Sequence, residues 1–221
     1  MPYRLYESGE REPAKQPGAS SVVIGTVTNN CDQVLQGKVK VYLPVLGDEV
    51  WARMATIGGG DGSGFWWVPR PDDEVIVALN QNDHTDAVIL GGMYSTKNTP
   101  PEVNQTDAQV KRVIKTGMSK ADGHKIELDD GLQAINIVSS TQQRITIDSK
   151  KIEVSNAAGT LTITLENDSQ TIAVQGVKVK INGAESLSMD APKIDITSKG
   201  PINIASQTSC SISGTTRVNI N

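Results

Sequence analysis

The sequence predicts an all-β chain: a small closed barrel followed by an intertwined trimeric β-helix needle. Three observations lead there. Residues 22–94 hold five short alternating runs separated by turn signals. Residues 124–221 repeat an aliphatic doublet at steps of 7 to 11 residues. All eight aromatic residues fall from Tyr3 to Tyr94, so the second half must build its core without the large buried areas that rings supply.

At 221 residues the chain has room for one large or two small domains, and the shift in composition favours two. The expected segments are a polar N-terminal stretch over 1–20, a barrel over 21–95, a linker or neck over 96–123 and a needle over 124–221. Net charge is −4, and residues 1–94 carry 7 basic and 12 acidic side chains. No segment has the basic excess that nucleic-acid binding demands, so no nucleic-acid partner is expected. Cys31 and Cys210 read as unpaired, partly buried thiols of a reducing cytoplasm. The N-terminus has no apolar core of the signal-peptide kind, and no run is long enough to span a membrane as a helix.

The barrel strands are taken in chain order. "VVIGTVTNN" comes first. "GKVKVYLP" follows, with Val39, Val41 and Leu43 on one face and Lys38, Lys40 and Tyr42 on the other. "WARMATI", "DDEVIVALN" and "AVILGGMY" complete the set. Alternation and β-branched residues favour strands. Five strands gain from closure, which removes exposed sheet edges, and an OB-type barrel fits the strand count.

Between the third and fourth runs stands "GGGDGSGFWWVPRP", five glycines in seven residues and then two tryptophans. A phosphate-binding loop needs a helix after it to aim backbone N–H groups at the anion. Here two prolines follow, and neither GxGxxG nor GK[ST] is present. The stretch reads as an inter-strand loop. If extended, the stretch turns Trp66 and Trp67 to opposite faces, so one can enter the barrel core while the other covers a neighbouring surface.

These residues carry a family resemblance. Gly37, Val39, Val41 and Pro44, then Trp51 and Arg53, Trp66 and Trp67, Pro69, Asp73, Glu74, Val75 and Val77, and Val88, Ile89, Leu90, Gly91 and Tyr94 stand in order over about 60 residues. The run resembles the OB-fold domain of central spike proteins of contractile tails. That family includes phage baseplate assembly protein V and the valine-glycine repeat spikes of type VI secretion. The resemblance implies a structural hub and not an enzyme. The short chain resembles phage-tail-derived particles more than type VI spikes.

The doublets of the second half are Ile126/Leu128, Ile135/Ile137, Ile145/Ile147, Ile152/Val154, Leu161/Ile163, Ile172/Val174, Val179/Ile181, Leu187/Met189, Ile194/Ile196, Ile202/Ile204, Cys210/Ile212 and Val218/Ile220. Turn formers such as "DDG", "SNAAG", "ENDS" and "SKGP" separate them. Each unit reads as a three-residue strand, too short to close a core within one chain. Three chains sharing an axis give the doublets a common interior. The family resemblance implies the same arrangement, an intertwined β-helix directly after the OB domain.

No catalytic, cofactor-binding or metal-binding residue is expected. His84 reads as a solvated loop histidine, and His124 as a polar residue at the needle's start. Asp129 and Asp130 could hold calcium, but Asp-Asp-Gly is an ordinary turn. Some spikes carry a lysozyme domain between barrel and needle, and the residues over 96–123 are too few for one.

"RVNIN" keeps strand character to the end, so three copies would leave a blunt face with unpaired backbone groups. The resemblance implies a proline-alanine-alanine-arginine tip protein there, docked at Arg217, Val218, Asn219, Ile220 and Asn221. The remaining expected partners are two further copies of the chain, hub and tube-initiator proteins of the baseplate, and transiently the target-cell envelope. The function read from the sequence is therefore a membrane-puncturing spike. It is expected to be made in the bacterial cytoplasm and built into an injection particle or virion. The competing reading is a β-solenoid adhesin or tailspike that binds surface polysaccharide. The lack of aromatics beyond Tyr94 counts against it.

Overall fold

The computed structural model describes residues 21–31, 37–80, 83–101, 106–117, 119 and 122–215. It divides into two units between Gln175 and Gly176. The first unit holds a barrel and a sheet, and the chain is all-β apart from a single four-residue helix among the described residues.

The barrel consists of β1 (Ser21–Asn29), β2 (Lys38–Leu43), β3 (Asp48–Met54), β4 (Glu74–Asn80) and β5 (Asp83–Gly92). It closes in the order β1-β2-β3-β5-β4, with β3 and β5 parallel and the other pairs antiparallel. Alternation decides the inside. Val39, Val41 and Leu43 of β2 and Val75, Val77 and Leu79 of β4 are buried, joined by Val27, Val50, Ala52, Ala87 and Ile89. Gly25 of β1 faces this core at a tight point. A Cβ there would stand 2.8 Å from Leu43 Cδ2 and 3.0 Å from the Tyr42 carbonyl oxygen.

Two details differ from the sequence reading. His84 has its backbone inside β5 and not in the turn before it. Neither tryptophan enters the barrel: Trp66 is 71% exposed and Trp67 about half so. The cause is the glycine loop, which folds back on itself. The Gly60 N–H donates to the Ser63 carbonyl at 2.9 Å, and the Phe65 N–H to the Ile57 carbonyl at 3.2 Å. Gly58, Gly62 and Gly64 take positive φ in this turn. The chain then leaves with Val68 packed on the core, while Phe65 and Trp67 stack outside with centroids 5.9 Å apart.

The helix α1 (Asp107–Val110) leads into a seven-stranded sheet. Its strands are β6 (Lys111–Lys115), β7 (Lys125–Asp129), β8 (Ala134–Val138), β9 (Arg144–Ile147), β10 (Lys151–Ser155), β11 (Thr162–Glu166) and β12 (Thr171–Gln175). They pair antiparallel in chain order. The strands are therefore four or five residues long rather than three, and the doublets up to Val174, apart from Leu161, lie in one antiparallel sheet. β6 adds a strand from the stretch read as a neck. Turns are set by local hydrogen bonds. Asp148 Oδ1 accepts the N–H groups of Lys150 and Lys151 at 2.7 and 2.8 Å. Asn156 Oδ1 accepts those of Thr160 and Leu161 at 2.9 and 3.1 Å.

The second unit differs in kind. Residues 176–215 form no strand, and Val179, Ile181, Leu187, Met189, Ile194, Ile196, Ile202, Ile204 and Ile212 are all exposed. Both cysteines are free and exposed, contrary to the partly buried reading.

A candidate assembly surface

The register of the sheet aligns the doublets into two ladders. One runs Arg112, Leu128, Ile135, Ile147, Ile152, Leu165, Ile172, each residue directly opposite the next. The other runs Ile114, Ile126, Ile137, Ile145, Val154, Ile163, Val174. Residues directly opposite in an antiparallel pair share a face, so both ladders stand on one side of the sheet. All thirteen aliphatics are exposed, from 37% to 74%. The eleventh strand uses Ile163 and Leu165. Leu161, the first member of its doublet in the sequence reading, is held in the preceding turn by Asn156.

The opposite face is largely polar and better covered. Glu127 is 9% exposed and Asp129 3%. Lysine stems lie over these carboxylates, with Lys125 Nζ 2.7 Å from Glu127 and Lys111 Nζ 3.6 Å from Asp129. Asn136 donates to Glu127 Oε1 at 3.4 Å, and Lys151 pairs with Glu153 at 2.7 Å. Burial works against the charge of Lys111, but the carboxylates of Asp107, Glu127 and Asp129 outweigh it and raise its pKa. The hydrogen bond to Glu153 raises that of Lys151. The backbone N–H groups of Lys150 and Lys151 hold the Asp148 carboxyl below the usual range.

An antiparallel sheet with one wet face ordinarily turns its apolar side inward. Here the polar side satisfies itself and the apolar side is bare, which marks an interaction surface. The arrangement can bury aliphatic area against a matching face. Its side chains offer no nucleophile or acid–base pair.

The other candidates fall into place around it. His124 is a hairpin residue: its N–H donates to Thr116 Oγ1 at 2.9 Å, and its Nδ1 accepts from the Ser140 N–H at 3.3 Å. Asp129 closes a turn by accepting the Leu132 N–H at 2.9 Å. No group of three or more metal-ligating side chains occurs among the described residues. Trp66 borders an open cleft with Lys38, Met54 and Val68. Arg217 to Asn221, the residues read as a tip-docking site, lie outside the described residues.

Comparison with known proteins agrees with this architecture. Residues 23–94, which cover the barrel, match the type VI secretion system/phage-baseplate injector OB domain. The chain is also similar to the actin cross-linking toxin VgrG1 of Vibrio cholerae serotype O1, with 30% identity over 125 residues. That match takes in 51% of this chain and only 11% of the toxin's length. The five-stranded barrel is thus an injector OB domain of the type VI secretion and phage-baseplate kind.

Proposed function

We propose that the chain serves as the central spike of a contractile injection system and works as a homotrimer. The observation behind this reading is the bare face of the seven-stranded sheet, with its two aliphatic ladders. Two further copies cover that face, ladder against ladder, around a shared axis. The doublets of residues 176–212, which have no strand partner in a single chain, have the same need. An intertwined needle over 124–221 supplies it, with residues 96–123 as the neck between needle and OB domain and β6 within that neck extending the seam by one strand.

In this reading the OB domain sits on hub and tube-initiator proteins, and the needle points at the target envelope and punctures it mechanically. A proline-alanine-alanine-arginine tip protein docks at Arg217, Val218, Asn219, Ile220 and Asn221. The protein is made in the bacterial cytoplasm and built into the particle. The spike itself performs no chemical step. The cross-linking activity named for the Vibrio protein belongs to a chain of which the match covers 11%, and it is not carried over.

Light scattering tests the central point. A trimer that resists dissociation in SDS is expected, and a stable monomer overturns the reading. Tip docking is tested by pull-down with the chain cut after Ser213, where undiminished binding rejects the site.

A further inference from the structure

Thirteen of the fourteen ladder positions are aliphatic, and the remaining one is Arg112. It stands opposite Leu128, on the apolar side of β6, at the end of the sheet that follows α1. Its Nη1 donates to the carbonyls of Ala108 and Lys111 at 3.2 and 2.7 Å. A guanidinium carries five N–H donors, so these bonds use only part of the fork. The carboxylates of the neighbouring rungs do not neutralise it. Lys111 holds both Asp107, at 3.7 Å, and Asp129, at 3.6 Å.

Resting on the trimeric reading above, we propose that three Arg112 side chains converge at the β6 end of the shared seam and bind one free tetrahedral oxyanion, phosphate or sulfate. The first reason is charge. Three cations drawn onto one apolar axis lose hydration and repel one another, and a buried charge is tolerated only when paired. The second is symmetry. A tetrahedral oxyanion has a threefold axis of its own, so three equivalent oxygens each accept from one fork. The third is geometry, because the planar guanidinium matches phosphate oxygens better than an ammonium does. A site enclosed by three chains admits the free ion and excludes a phosphate that carries a substituent.

Calorimetric titration of the full chain with inorganic phosphate, at constant ionic strength, tests this alongside light scattering. One phosphate per three chains is expected. Arg112→Leu should abolish binding while keeping the trimer. Arg112→Lys should weaken it about tenfold, and it carries the test if the leucine variant fails to assemble. Four results overturn the site: a trimer that binds no phosphate, one phosphate per chain, equal binding of glycerol phosphate, or phosphate-independent melting that Asp130→Asn lowers, which would make Asp130 the counter-charge. A monomer by light scattering overturns the trimeric reading as well. A trimer without phosphate binding overturns only the anion site.

Discussion

Ile126 of β7 stands directly opposite Ile137 of β8, and both side chains are 39% exposed although they belong to a continuous aliphatic face. The pair lies on the side of the sheet that the proposed assembly buries. Ile137→Asp would place an unpaired carboxylate in that seam, once per copy, at a cost of several kcal/mol each. The expected outcome is dissociation to monomers by light scattering, with the barrel's circular dichroism unchanged. Retention of the trimer would show that this face is not the contact.

Gly25→Ala tests the narrow point of the barrel. The added methyl meets Leu43 Cδ2 and the Tyr42 carbonyl from strand positions that cannot readily retreat. Overpacking of this kind costs about 1–3 kcal/mol. The barrel's denaturant midpoint should fall by the corresponding amount, while the oligomeric state stays the same.

Gln133, Gln142 and Gln170 adopt positive φ, 52°, 64° and 52°, in three of the sheet's connections. The left-handed region costs a residue with a side chain about 1–2 kcal/mol, and glycine very little. Gln170→Gly should therefore raise the melting temperature slightly and Gln170→Val should lower it. The sign of that difference is the measurement.

Asp148 gives the sheet a dependence on acid. Its folded pKa is depressed by the N–H groups of Lys150 and Lys151, so its contribution is present above the unfolded value of about 3.9 and lost as pH falls through the folded one. Asp148→Asn should melt below the parent protein at neutral pH, with the gap closing as the medium is acidified below about pH 4. The raised pKa of Lys151 acts at the other end. Its contribution is complete below about pH 10.4 and fades as pH rises through the folded value.

The barrel was legible because each strand carries its own signal. Val39, Val41 and Leu43, like Val75, Val77 and Leu79, alternate with outward residues, and all six are buried. The doublets were legible for the same reason, and their register followed once the strands paired. Loop geometry was not. Alternation carried through Trp66 and Trp67 assumes an extended backbone, but the loop just before them bonds to itself at Gly60 and Ser63. The doublet spacing puts Leu161 in a strand, but Asn156 holds it in a turn through a side-chain bond that periodicity cannot reveal. β6 carries a weaker signal, because Arg112 stands where the other strands have an aliphatic residue and charged residues flank it.

The straight columns of the sheet also make it a ruler. Each strand adds one rung of about 4.8 Å, and the antiparallel order makes a hairpin of two rungs the smallest unit that can be inserted or removed while the chain keeps its direction. One such edit would change reach by about 10 Å and leave the cross-section alone. In the proposed spike, copying or deleting hairpins would therefore match its reach to envelopes of different thickness.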